Sequence, residues 1–126
     1  MPVKPGLSAE LTFTVSDDDT AQSLGSGEVP VLGSPRVLGM VEAATLKALT
    51  GQLGPGETSV GVKIQVEHVA PTAVGSEVTA EATVEKVNGR RITFTVSVND
   101  ERGLIAVGRV TRVIVDVDRF LDKTAR

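Results

Sequence analysis

Polar and apolar residues alternate along much of this 126-residue chain, and the breaks in the alternation mark out its elements. Over Leu7–Val15, Leu11, Phe13 and Val15 fall on one side and Thr12 and Thr14 on the other, the period-two pattern of a half-buried strand. Three later segments repeat it. Ser59–Val69 places Val60, Val62, Ile64 and Val66 inward, Ser76–Val87 places Val78, Ala80, Ala82 and Val84 on one face, and Arg91–Val98 does so with Ile92, Phe94, Val96 and Val98. Asn88-Gly89 between the last two predicts a type I′ hairpin, because both residues tolerate positive φ. Asn99-Asp100-Glu101-Arg102-Gly103 predicts a second turn, leading into a final strand over Leu104–Val115.

One segment has a helical pattern instead. At Ser34-Pro35 a hydroxyl is placed to cap an orphan amide, and Pro at the first helical position loses nothing. Val37–Thr50 then carries Leu38, Met40, Val41, Ala44, Leu46, Ala48 and Leu49, and Gly51 stands where a helix end wants a left-handed residue. The connection Asp17–Gly33, with three consecutive Asp, several glycines and Pro30, is long for a structureless link and reads as a lid or binding loop. The order strand, long loop, helix, four strands predicts an α+β fold over 1–126 as a single domain, an antiparallel sheet of about five strands wrapped around one long central helix. Such a sheet covers only one side of its helix and leaves an edge that a second copy can extend, so a homodimer is expected.

Composition narrows the chemistry. Aromatics are 2% of the chain, so Val, Leu, Ile and Ala must fill the interior. The absence of cysteine excludes disulfides, thiolate nucleophiles, Cys-ligated zinc and iron–sulfur clusters, and a single His argues against a His-based metal site; no metal or cofactor is expected. A formal charge of -3 without Trp, Tyr or a basic run lacks the footprint of a nucleic-acid binder. Neither an apolar leader nor an apolar run of about 18 residues is present, so no membrane association and a cytoplasmic location are expected.

Three residues stand out as chemically useful. His68 is the one side chain whose ordinary pKa lies near neutrality, and strand parity aims it at the core side, at the end of its strand. The bland alternative is a structural histidine bonded to a backbone carbonyl. Glu42, projected at about 100° per residue, falls between Leu46 and Leu49 and off the flank shared by Arg36 and Lys47. A carboxylate among leucines must be paired, hydrated in a cleft or raised in pKa, unless it is simply a solvated edge residue. Ser34 reads first as an N-cap, but a helix amino end also favours developing negative charge, so its hydroxyl can serve substrate and helix together. Gly39, on the same side of the helix as Glu42, leaves room for a ligand or for close backbone packing. The Asp17–Asp19 run lacks the spaced ligands of a calcium loop, Gly25-Ser26-Gly27 lacks the context of a phosphate loop, and Arg90 and Arg91 are either solubilising or contacts for a nucleotide phosphate.

The stretch Val31-Leu32-Gly33-Ser34-Pro35-Arg36-Val37-Leu38-Gly39-Met40-Val41-Glu42-Ala43-Ala44 resembles the helix start of fluoroacetyl-CoA-thioesterase-like hot-dog proteins. Val60-Gly61-Val62, His68-Val69-Ala70-Pro71-Thr72, Gly75 and Val87-Asn88-Gly89-Arg90-Arg91 extend the resemblance over nearly the whole chain. It implies a hot-dog fold and a thioester hydrolase acting on acyl-CoA. Glu42 and His68 match the family's carboxylate and imidazole, and Ser34 matches a position usually held by Thr. Gly61 matches a glycine near the substrate carbonyl and Arg112 a basic residue close to the site. The loop Ala21–Pro30 departs from the family in having no Phe, where the fluoroacetyl-specific enzyme has aromatic lid residues.

The implied chemistry is acyl transfer to water. The carbonyl sits near the helix amino end and Gly61, His68 acts as general base and then acid, and Glu42 orients His68, polarises water or itself attacks. A non-catalytic acyl-CoA or small-ligand binding module and a hydratase acting on enoyl-CoA are the competing readings.

Overall fold

Alternating segments this rich in Val and Thr have one stable way to bury their apolar side, which is to pair and close over a shared partner. In the computed structural model, which describes residues 3–125, they do so as five antiparallel strands in the order β1-β3-β4-β5-β2. β1 is Ser8–Thr14, β2 Glu57–His68, β3 Glu77–Asn88, β4 Arg91–Asp100 and β5 Gly103–Asp116. The expected α+β architecture is present, with the long helix α2 (Ser34–Leu49) lying on the sheet's inner face. Its buried row of Val37, Met40, Val41, Ala44, Ala48 and Leu49 meets the inner rows of β3 and β4, where all eight residues expected to face inward are buried. Ala44, Ala80 and Ala82 keep helix and sheet close, and Phe94 fills the space left between them. Each fully buried Val, Leu or Phe contributes about 1.5–3 kcal/mol relative to exposure, so this layer supplies most of the fold's stability.

The type I′ hairpin needs correcting, and the other connections gain detail. The β3–β4 loop centres on Gly89-Arg90, with Asn88 already paired to Arg91. Gly89 has φ +63°, and among the described residues no non-glycine has positive φ, which rules out a type I′ turn and fits type II′. Arg90 is spent on this corner, bonding Ile114 O and pairing with Glu57 at 3.3 Å. The Asp17–Gly33 connection is not structureless: a 3-10 turn at Asp17–Asp19 leads into the short helix α1 (Ala21–Leu24), and Thr20–Leu32 and Val31–Ala73 bridges tie the loop down. Asp19 anchors its base, accepting from the Ser16 amide and pairing with Arg36 at 2.8 Å. A short helix α3 (Val117–Asp122) follows β5, started by Asp116 accepting from the Arg119 amide.

The largest correction concerns β2. Its ladder with β5 runs Gly61↔Arg112 and then Lys63↔Thr111, so Val62 is an extra residue with no partner. A bulge of this kind shifts the alternation by one position. Before it the inward residues are odd-numbered, with Ser59 buried; after it they are Ile64, Val66 and His68. The expected inward placement of Val60 and Val62 fails accordingly, and the Val62 side chain is 48% exposed on the sheet edge.

Farther along, Gly108 of β5 lies so close to β2 that a Cβ there would fall 1.9 Å from Gln65 O and 2.7 Å from Val66 Cα. Backbone cannot yield as a side-chain tip does. Gly108→Ala is expected to destabilise the protein by about 3 kcal/mol or more, lowering the melting temperature by on the order of 10 °C. Gly39→Ala, with nothing within 4 Å of its added Cβ, should leave it unchanged or slightly raised. Thermal unfolding followed by circular dichroism checks both.

Candidate active site

The start of α2 is set by Gly33 rather than by Ser34. Gly33 is the N-cap residue, and a Cβ there would sit 3.0 Å from the Ala21 backbone, so a larger residue would crowd α1 where the helix begins. Ser34 is therefore the first helical residue and makes no capping bond, contrary to the N-cap reading. Its freed hydroxyl lies 2.8 Å from His68 Nδ1. The first turn offers fewer amides than a bare helix start, since Pro35 has no N–H and the amides of Arg36 and Val37 already donate to Gly33 O.

His68 closes β2 on the inner face, with the following Val69 amide donating to Ile105 O. The imidazole is half-buried, and its Nε2 is fully buried with no hydrogen-bond partner among the described residues. Leaving such an atom unpaired costs about 1–3 kcal/mol. This is not a structural histidine bonded to a carbonyl. Its one side-chain hydrogen bond among the described residues is to another reactive group, and its second nitrogen lacks a partner.

A second cluster forms at the other end of β2. Glu42, side chain 39% exposed, lies at the border of α2, with Leu49 buried on one side and Leu46 exposed on the other. Its Oε2 is 3.9 Å from Nη1 of Arg112. The guanidinium is buried: Nε donates to Ser59 Oγ at 2.8 Å, Nη2 to Ser59 O at 2.9 Å, and Nη1 to Thr45 Oγ1 at 3.4 Å. Burial lowers the Arg112 pKa from its ordinary value, and the Glu42 carboxylate pulls the other way. With all three nitrogens engaged within the chain, the charge of Arg112 is directed at Glu42. Gly61 completes the cluster, since a Cβ on it would lie 2.5 Å from Glu42 Oε2. The missing side chain is the seat of the carboxylate.

Ser34 and His68 are thus brought together, as are Glu42, Gly61 and Arg112, but the two groups are apart. The β2 segment from Gly61 to His68 spans about 20 Å at roughly 3.3 Å per residue. Gly39 touches neither group. Sequence reasoning missed Ser59 and Thr45, the polar pair that satisfies Arg112. Thr45, three residues after Glu42, was readable as its helical neighbour, whereas Ser59 faces inward only because of the bulge. Among the described residues no group of three or more His, Asp or Glu side chains is placed to hold a metal. No described helix is long and apolar enough to cross a membrane.

A cavity of about 360 Å³ opens beside Ser34 and His68, walled by the lid loop and by Val69–Pro71. A larger hollow of about 650 Å³ lies on the outer sheet face over Gly108, on the opposite side from His68 and Glu42.

Replacing Arg112 by Met leaves Ser59 and Thr45 without their donor and should cost about 2–4 kcal/mol, read as a lower urea midpoint. Gly61→Ala crowds the far end of the Glu42 side chain and no backbone atom, so it should change stability by less than about 1 kcal/mol while displacing the carboxylate. A midpoint as low as that of Arg112→Met would contradict this placement.

Residues 15–118 match the fluoroacetyl-CoA-specific thioesterase family. The fluoroacetyl-CoA thioesterase of Streptantibioticus cattleyicolor is 36% identical over 84 residues, 67% of this chain, and the match spans only 60% of that enzyme's length. A mutant of the fluoroacetyl-CoA-specific thioesterase, crystallised with fluoroacetate and CoA, is 29% identical over 94% of this chain and 99% of its own, with a TM-score of 0.87. A Thermus thermophilus thioesterase-superfamily protein is 28% identical over 98% of this chain and 91% of its own, with a TM-score of 0.91. The fold is therefore that of the hot-dog thioesterases, and the chain belongs to the fluoroacetyl-CoA-specific thioesterase family.

Proposed function

We propose that this chain hydrolyses an acyl-CoA to a carboxylate and free CoA, and that it does so as a homodimer joined through β2. The observation that carries the reading is the arrangement of two incomplete groups at opposite ends of one unpaired edge strand, both on the helix-facing side. Pairing β2 antiparallel with its copy about a dyad near Gln65 puts His68 opposite the Gly61–Val62 bulge of the partner subunit. Neighbouring strands lie about 4.8 Å apart, so the imidazole comes within side-chain reach of Glu42 of the partner subunit. The same pairing satisfies the open strand edge and covers Val62.

Nε2 of His68 is buried within its own chain without an acceptor, so it reaches the carboxylate of the partner's Glu42 by a turn of the ring toward the strand edge as the subunits pair. With Nε2–H donating to the partner's Glu42, Nδ1 becomes the proton acceptor and faces the Ser34 hydroxyl. A water seated against Ser34 attacks the thioester carbon, and its proton passes through the hydroxyl to Nδ1. The carboxylate steadies the imidazolium, which returns the proton to the departing thiolate as the C–S bond breaks. Arg112 and Gly61 act one step back, fixing where Glu42 can be. The Ser34 amide and the backbone at the bulge are the donors closest to the developing oxyanion.

Because the protein has no cysteine, thiol release can be followed without background. Wild type should hydrolyse members of an acyl-CoA panel. His68→Ala and Glu42→Ala, both folded, should each lose about 10²–10⁴-fold in kcat/KM, and Ser34→Ala on the order of tenfold, the worth of one hydrogen bond. Saturable acyl-CoA binding with no thiol released from any substrate would replace the enzyme by a binding module, and loss of an enoyl-CoA chromophore without thiol would make it a hydratase.

A further inference from the structure

The cavity beside Ser34 and His68 is lined by uncharged side chains, most of them apolar. Ala21, Val29, Val31, Leu32, Val69 and Pro71 supply its wall, and no charged side chain lines it. Its polar side chains are Ser26 and the two residues assigned to the reaction, Ser34 and His68. Leu32 is buried beneath it, while Val29 and Val69 are each 55% exposed at its mouth, two large apolar side chains left in water on either side of an opening. The CoA end of a thioester carries phosphates and needs cations, which this wall lacks; the acyl end needs apolar surface, which it has.

Resting on the thioesterase reading, we infer that the acyl group is an uncharged aliphatic chain longer than two carbons, with Val29 and Val69 as the residues that select it. The cavity is an open cleft of about 360 Å³, the size of a small-ligand site, and a two-carbon acyl group leaves most of it unfilled. A longer chain lies against both valines and gains about fourfold in binding per methylene buried. A terminal carboxylate, as in a succinyl group, is desolvated there without a partner, and Glu28, between lining residues Gly27 and Val29, adds like charge nearby. The lid that in this chain lacks Phe is thus fitted to a flexible chain.

The test compares kcat/KM for acetyl-, fluoroacetyl-, butyryl-, hexanoyl- and succinyl-CoA in wild type and Val69→Arg. Wild type should favour butyryl- over acetyl-CoA by about tenfold and disfavour succinyl-CoA by at least a hundredfold. Val69→Arg, at an exposed position that tolerates the change, should raise the succinyl-to-butyryl ratio at least tenfold. Preference for acetyl-, fluoroacetyl- or succinyl-CoA over butyryl-CoA, or an unmoved ratio in the variant, overturns the inference and leaves the thioesterase reading standing. If no thioester is hydrolysed, that reading fails instead, and calorimetric binding of butyryl- against succinyl-CoA decides: tighter butyryl-CoA supports the apolar acyl site, equal affinity refutes it.

Discussion

Along an unbroken β-strand, residues an odd number of positions apart point to opposite faces. Gly61 and His68 are so placed, and in a regular β2 one of them would turn away from the helix. The extra residue at Val62 removes that conflict and puts both on the inner face of the edge strand. Everything at the site depends on this. Ser59 turns inward to hold Arg112, the Gly61 backbone faces Glu42, and His68 still meets Ser34. A bulge costs a ladder position, and here it falls on the strand that has a free side.

The electrostatics follow from the same placement. Arg112 is buried and would be costly alone, but Ser59 and Thr45 satisfy its donors and leave its charge directed at Glu42. The carboxylate lies between the guanidinium and its own helix, in the space left by the absent Cβ of Gly61. It keeps a solvent-facing side, and in the proposed dimer that side meets the imidazole. At the other end of β2, His68 has one nitrogen committed and one without a partner. Two groups with opposite unmet needs at mirrored ends of an open edge are the pattern that a two-fold axis resolves.

The fold was legible because period-two alternation is strong in β3 and β4, whose inner rows were read without error, and because α2 has a clear start and stop. The residues of the candidate site are legible as chemical anomalies and through the family resemblance. Their grouping is not. Parity counting runs through a bulge as if it were absent, so Val60 and Val62 were turned inward and Ser59 missed. Ser34 was assigned to capping because Ser before Pro is the stronger local signal, yet the tight contact of Gly33 with Ala21 moves the cap back by one residue. The β3–β4 turn shifted for a similar reason, since a glycine can serve either central position and the ladder register decides which.

The most direct measurement mixes two dead proteins. His68→Ala and Glu42→Ala subunits, unfolded together and refolded at equal concentration, form heterodimers in half of the assemblies if pairing is random. In the shared arrangement each heterodimer holds one site with both residues intact and one with neither, so the mixture should recover about a quarter of wild-type thiol release while either variant alone stays inactive. An inactive mixture whose heterodimers are demonstrably formed would contradict the shared site and require Glu42 and His68 to act within a single chain.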